Sequence, residues 1–290
     1  MTPGYESCFG LVERPFSLTP DARYFFRNCA HGRMLEALTF GLRRREPFLL
    51  VTGDLGVGKT FLGRVLADQL RRKGPVSYVS NPLVTPEHLV RFLIEDFSGM
   101  APARGSTEAL SADDHFDFLT QTLSELQKMR TTAVAVIDEA HRLPAVVIEQ
   151  LVALALPEAG RELALQIVLL GQTPAHSPLL LGNALDERIA TKGRLVSLTR
   201  DECHEYVRHR LRVAGADAPQ IFSTRALDVL FGLSNGLPRL VNLLCERALQ
   251  EAALQRTETV EPSVIAAAAS ALELTLARPR RFRWFSKRVS

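Results

Sequence analysis

A parallel α/β sheet flanked by helices, followed by a small all-α domain, is the fold class this sequence predicts. Three observations carry it. The apolar run Phe48-Leu49-Leu50-Val51-Thr52 leads into a glycine-rich loop and then a helical pattern (Phe61, Leu62, Val65, Leu66, Leu70). A second apolar run, Ala133-Val134-Ala135-Val136-Ile137, ends in Asp138-Glu139 about 80 residues further on. From Asp201 onward only helical periodicity remains.

The loop reads Gly53-Asp54-Leu55-Gly56-Val57-Gly58-Lys59-Thr60 and is followed by Phe61, a complete match to G-x-x-x-x-G-K-[ST]. Backbone N–H groups converge on phosphate oxygens only where side chains do not block them, which is why the loop is rich in glycine. The loop opens a helix, whose N-terminus adds partial positive charge. Lys59 is expected to reach the β- and γ-phosphates, and the Thr60 hydroxyl to ligate Mg²⁺. Asp138 is expected to hold Mg²⁺, directly or through water. Glu139 is then the general base that polarises the attacking water. The cofactors expected are ATP and Mg²⁺, and the reaction is ATP plus water to ADP plus phosphate. His141 completes Asp-Glu-Ala-His and reads as a surface or supporting residue rather than a catalyst.

The remaining elements follow in order. Residues 1–30 form a leader rich in aromatic and turn residues, expected to pack on the core near the nucleotide base. Residues 31–45 read as a helix, Val76–Ser80 as a second strand, and Thr85-Pro86 as a helix start. Gly99–Gly105 is a loop, and Ser111 with Asp114 resembles a capping box opening a helix to about Arg130. A helix follows Pro144. Leu165–Leu170 is a buried strand and Val196-Ser197-Leu198 a short last one. Helices are expected at about 201–214, 223–234, 238–255 and 261–277, divided by Gly215, the Gly236-Leu237-Pro238 turn and Thr257–Thr259. The domains are therefore the leader, 1–30; an α/β core, 31–199; a helical lid, 200–277; and a basic-aromatic tail, 278–290.

Open parallel sheets bind ligands at the carboxyl ends of their strands. Gln172, just past the 165–170 strand, is placed to touch the γ-phosphate or the lytic water, the role called sensor 1. Arg239, just inside the helix that Pro238 starts, is placed to point at the phosphates of its own subunit, the role called sensor 2. Arg188 and Arg194 precede the last strand. In ring and filament ATPases an arginine here reaches the neighbouring subunit's γ-phosphate. Arg188 is the first candidate for that finger and Arg194 the second.

Composition bounds the rest. Hydrophobic residues make up 46% of the 290, as in an ordinary globular chain. The tail carries Arg278, Arg280, Arg281, Arg283, Lys287 and Arg288 with no acid, so the rest of the chain is at −3 of a whole-chain +3. The main body is thus no basic nucleic-acid-binding mass. Cys8, Cys29, Cys203 and Cys245 form no C-x-x-C pair, which argues against zinc and a disulfide framework and for a reducing cytoplasm. The N-terminus has no basic, apolar leader, and no run reaches the roughly 18–20 apolar residues of a membrane span. In the tail, Phe282, Trp284 and Phe285 alternate with cations. Such a segment fits an anionic membrane surface, nucleic acid, a protein partner, or a disordered solubilising end.

Several motifs taken together resemble one family. They are Tyr5 with Phe9-Gly10-Leu11; Pro15-Phe16-Ser17-Leu18-Thr19-Pro20-Asp21; the Gly53–Thr60 loop; Val136-Ile137-Asp138-Glu139-Ala140-His141; Leu165-Gln166-Ile167-Val168-Leu169-Leu170-Gly171-Gln172; Tyr206-Val207-Arg208-His209-Arg210-Leu211; and Gly236-Leu237-Pro238-Arg239-Leu240-Val241-Asn242. In this order they resemble the AAA+ ATPases of the general secretion pathway protein A (ExeA) and MSHA biogenesis protein MshM family, over nearly the whole chain. The resemblance implies a P-loop NTPase (AAA+) fold with a helical lid, ATP hydrolysis and self-association into a ring or filament. It also implies secretion or pilus assembly proteins as partners. Secretion relatives continue into a membrane span and a peptidoglycan-binding domain, and neither is expected within these residues. Leu151–Glu158 is more apolar than the family's Asn-Leu-Glu stretch, so partner contacts there are expected to differ. The family is also similar to TniB/TnsC-type transposition ATPases, which form filaments on DNA.

Three function classes follow: an ATPase powering assembly of a secretion, pilus or surface-polysaccharide system; a DNA-binding transposition or partner-recruiting ATPase; and a nucleotide-dependent scaffold. A cytoplasmic location is expected, with peripheral attachment at the inner membrane as the alternative.

Overall fold

The computed structural model describes residues 4–27, 29–80, 85–98, 112–156, 163–172, 185, 187–216 and 220–273. The tail, the Gly99–Gly105 loop and Ser111 lie outside the described residues. So does the part of the last predicted helix beyond residue 273.

Among the described residues, five parallel strands form one sheet in the order β2-β3-β4-β1-β5: β1 Phe48–Gly53, β2 Val76–Val79, β3 Ala133–Ile137, β4 Leu165–Gly171 and β5 Ile189–Leu195. β3 and β4 are buried at every residue, as expected of central parallel strands covered on both faces. Side chains alternate between the faces with period two. Leu49, Val51, Val134, Val136, Val168 and Leu170 enter one core. Phe48, Leu50, Ala133, Ala135, Ile137, Leu165, Ile167 and Leu169 enter the other. Helices α1 (Ala30–Arg43) and α2 (Lys59–Arg71) cover the first face. Helices α3 (Pro86–Ser98), α4 (Ala112–Lys128) and α5 (Ala145–Ala155) cover the second. Gln166 is polar inside a buried strand, and its Nε2 donates to Leu42 O (3.1 Å) and Glu46 O (2.8 Å).

One strand differs from expectation. The last strand is Ile189–Leu195, not Val196–Leu198. It pairs with β1 at the sheet edge and alternates buried and exposed positions, so Ala190, Lys192 and Arg194 face outward. A half-exposed edge strand needs no apolar run, and Ile-Ala-Thr-Lys-Gly-Arg-Leu offers none.

The chain forms two compact units. The sheet unit takes Leu18–Leu198 and Leu237–Arg239; the helical unit takes the described parts of Met1–Ser17, Thr199–Gly236 and Leu240–Ser290. The leader is therefore shared between them rather than forming one segment.

In the helical unit lie α6 (Arg200–Val213), α7 (Thr224–Ser234), α8 (Pro238–Leu254, whose first two residues cluster with the sheet unit) and α9 (Pro262–Ala271). A capping box of Thr199 and Glu202 starts α6, and the Ser223 side chain caps α7. Asn235 and Gly236, at φ 48° and 68°, end α7 in the left-handed region. The unit's polar centre is Arg210, which is buried. Its guanidinium donates to Pro15 O, to Ser17 O (3.3 Å) and to the Tyr206 hydroxyl (2.9 Å), which in turn donates to Asn242 Oδ1 (2.9 Å). The Tyr5 hydroxyl donates to Glu246 Oε2 (2.6 Å), and the Phe16 ring meets Phe222 edge-on. Burial, and then the Glu246 carboxylate, push the Tyr5 phenol above its ordinary value. Burial alone lifts the Cys203 thiol to about 12, and it lifts Cys245 as well, so both behave as apolar packing groups.

In the sheet unit, the second half of the leader closes tightly on α1. A Cβ built on Gly32 falls 1.9 Å from the backbone oxygen of Arg27. Gly32→Ala is expected to lower unfolding stability by about 1–3 kcal/mol, read by urea denaturation, because the leader backbone has to move.

Candidate functional site

β1 ends at Gly53, and the loop from Asp54 to Gly58 turns directly into α2. Two glycines make the turn. Gly56 and Gly58 sit at φ 83° and 100°, values that side-chain-bearing residues rarely adopt. Lys59 is only 5% exposed. Its Nζ donates to Gly53 O (2.8 Å) and Asp54 O (2.9 Å), so the ammonium is held over its own loop. Burial pulls the Lys59 pKa below the ordinary lysine value, and the carboxylates of Glu139, Asp138 and Asp54 pull it partly back up. Leu55 projects from the loop tip, exposed. Thr60 and Phe61 are half-buried, and the Phe61 ring meets leader residue Phe25 edge-on, with centroids 5.7 Å apart.

The parallel register brings the other groups to the same rim. Ile137 pairs with Leu169, and Thr52 with Gly171, so Asp138, Gln172 and the loop all follow neighbouring strand ends. Asp138 is 2% exposed. Its Oδ1 accepts from the Glu139 N–H (2.9 Å) and its Oδ2 from the Tyr78 hydroxyl (3.1 Å), which also lies 3.3 Å from Thr60 O. Burial, and then the Asp138 carboxylate, raise the Tyr78 phenol above its usual value, so it stays a donor. Glu139 sits at φ 51°, a left-handed conformation for a non-glycine residue, which is held strain at the strand end.

His141 stands between the two expected catalytic groups. Its Nδ1 accepts from the Gln172 N–H (3.3 Å), which leaves the proton on Nε2, and Nε2 lies 3.6 Å from Glu139 Oε2. The imidazole thus links the end of β4 to the carboxylate after β3.

Arg239 is exposed and belongs to the sheet unit. Its N–H donates to Gly56 O (3.3 Å), and its Cβ is the nearest heavy atom to a Cβ built on Gly56, at 3.4 Å. Arg188 is exposed in the turn before β5. Seven residues of a parallel strand, about 20 Å, separate it from the loop's rim. Arg194 lies within β5, not before it, and faces Asp54 at 3.7 Å in a solvent-exposed pair of small energetic weight. The structure therefore gathers Lys59, Thr60, Asp138, Glu139, Gln172 and Arg239, and leaves Arg188 at the opposite rim.

Tyr78 escapes sequence reasoning because its role depends on register: it pairs with Val136 and so shares a face with Asp138. Tyr78 and Ser80 also line a cleft of about 240 Å³ with leader residues Pro20 and Ala22 and with Phe61 and Arg64.

No cluster of three or more His, Cys, Asp or Glu side chains that could hold a metal occurs among the described residues. Mg²⁺ takes one or two protein oxygens and completes its shell with phosphate and water. The Asp138 carboxylate and the Thr60 hydroxyl are the oxygen donors that would hold it.

These features define a P-loop nucleotide-binding protein of the AAA+ kind. An AAA domain family model matches residues 42–179. General secretion pathway protein A of Aeromonas hydrophila is 36% identical over 249 residues, which cover 84% of this chain and 44% of that protein. The chain belongs to the general secretion pathway protein A family of AAA+ proteins, and spans less than half the length of this curated relative. Among solved structures, Cdc6p from Pyrobaculum aerophilum matches with a TM-score of 0.70 at 18% identity, covering 90% of this chain and 71% of that one. The Aeropyrum pernix ORC2 protein, solved as ADPNP-ADP complexes, gives 0.68 at 15%, covering 90% and 72%. The Thermotoga maritima RuvB Holliday junction branch migration motor gives 0.57 at 19%, covering 84% and 69%. At these identities the likeness establishes the fold.

Gly58→Ala puts a side chain at φ 100°, 3.1 Å from the His31 ring. It is expected to lower stability by about 1–3 kcal/mol in chemical denaturation, through backbone strain and the crowding of the His31 ring.

Proposed function

We propose that the protein binds ATP with Mg²⁺, hydrolyses it, and self-associates to couple turnover to assembly of a bacterial secretion, pilus or surface-polysaccharide system. The observation that carries the hydrolytic reading is the grouping of Glu139, His141 and Gln172 on the strand rim that also bears the Lys59 loop. Membership of the general secretion pathway protein A family supports the cellular assignment.

In this reading the loop amides and Lys59 take the phosphates, with Lys59 exchanging its two carbonyl acceptors for phosphate oxygens. Mg²⁺ held by Asp138 and Thr60 would neutralise phosphate charge. Glu139 accepts a proton as water forms a bond to the γ-phosphorus and the bond to the bridging oxygen breaks. Gln172 orients the γ-phosphate or the water, and Arg239 adds positive charge from the same chain. The second half of the leader flanks the nucleotide, an assignment supported by the cleft beside Phe61. Arg188 cannot reach its own loop across the length of β5, so its catalytic target is the site of a second copy. The tail is assigned to an anionic membrane surface, DNA or a protein partner.

The second reading, a DNA-binding transposition or partner-recruiting ATPase, draws on the fold shared with a structure described as the Aeropyrum pernix ORC1 protein in complex with DNA (TM-score 0.62, 18% identity). Salt-sensitive co-sedimentation with DNA in the presence of ATP would favour it. Liposome binding that disappears on deleting residues 278–290 would favour the first. A nucleotide-dependent scaffold predicts that Glu139→Gln, assembled but inactive, still supports function in cells.

Lys59→Ala is expected to abolish ATP binding in calorimetry. Glu139→Gln is expected to keep binding and lose at least about a hundredfold in turnover, as removal of a general base does; normal turnover would rule out Glu139 as the base. Arg188→Ala is expected to lose ATPase activity alone and regain it when mixed with Glu139→Gln protein, because each supplies what the other lacks.

A further inference from the structure

We propose that His31 is a positioning residue for the phosphate loop: through Nε2–H it fixes the Val57–Gly58 peptide so that the Gly58 N–H faces a bound phosphate. The inference rests on the ATP-binding reading and adds to it a residue outside the loop motif.

His31 is the second residue of α1 and is 7% exposed. Its Nε2 lies in hydrogen-bond contact with Val57 O. A carbonyl oxygen only accepts, so the proton on Nε2 is assigned. Nδ1 faces Cys29 Sγ at 3.3 Å, and that thiol is also 3.2 Å from Phe26 O. Cys29 is itself buried, and its S–H donates to Phe26 O. The ring is thus held through Nε2, with the Cys29 sulfur packed against Nδ1.

The consequence for the loop is geometric. A trans peptide points its C=O and its N–H in opposite directions. With Val57 O drawn to His31, the Gly58 N–H of the same peptide must point away from the ring, to the other side of the loop. The ring also packs against the Gly58 Cα, so close that an added Cβ would sit 3.1 Å from Nε2. Gly58 at φ 100° is therefore seated on the imidazole. Without this contact the peptide is free to rotate its carbonyl toward the phosphate side, where its negative end repels the ligand.

The test compares three substitutions by calorimetry with ATP and with ADP in the presence of Mg²⁺, and by steady-state ATPase assay. His31→Ala is expected to weaken nucleotide affinity about threefold to tenfold, the size of one lost hydrogen bond. The loss should appear in KM more than in kcat. His31→Gln, whose amide nitrogen reaches the Nε2 position, is expected to recover most of it. His31→Asn, whose amide ends near Nδ1, is not. Should the alanine variant fail to fold, the glutamine and asparagine variants decide alone. Equal affinity in glutamine and asparagine variants, or wild-type affinity in the alanine variant, overturns the proposal. A wild-type chain that binds no ATP overturns the nucleotide reading, and this inference with it.

Discussion

The parallel hydrogen-bond register of β1, β4 and β3 is the constraint on which the rest of this structure depends. Because Ile137 pairs with Leu169 and Thr52 with Gly171, three strands end at one rim. Whatever follows each strand is delivered there: the phosphate loop, the Asp138-Glu139 pair and Gln172. The same alignment places what precedes a strand at the far rim, which is why Arg188, one residue before β5, is remote from the loop of its own chain. A one-residue slip of β3 against β2 would turn Asp138 to the face opposite Tyr78 and part the two.

Two buried charges share this rim, and both are satisfied by local donors and acceptors. Lys59 is held by two loop carbonyls, and Asp138 by one backbone amide and one phenol. Burial of an unpaired charge would cost several kcal/mol, so these bonds keep the site folded before any phosphate arrives. The partners of Lys59 are uncharged carbonyls, weaker than phosphate oxygens, and the lysine can therefore be re-aimed. Glu139 sits on a left-handed backbone, and the His141 imidazole lies 3.6 Å from its carboxylate.

The leader divides its contacts. Tyr5 and Phe16, with the carbonyls of Pro15 and Ser17, are bound into the helical unit around Arg210 and Tyr206. Residues from Leu18 onward belong to the sheet unit, where Phe25 meets Phe61 and His31 supports the loop. Within the Tyr206–Leu211 motif the arginine holds two leader carbonyls, and the tyrosine ties that arginine to Asn242.

The sequence alone determined the phosphate loop, the acidic strand end, the parallel α/β class and the helical C-terminal third. Each is a local pattern: glycines where φ must be positive, apolar runs in strands buried on both faces, and helical periodicity with caps. It misplaced the last strand, because an edge strand exposed on one side shows no such run. Only the tertiary structure decided that Tyr78 holds Asp138, that His141 joins Glu139 to Gln172, and that His31 lies beneath Gly58. These contacts join residues on different elements, and strand register and helix packing set their distances. Neither is written in the spacing of residues along one segment.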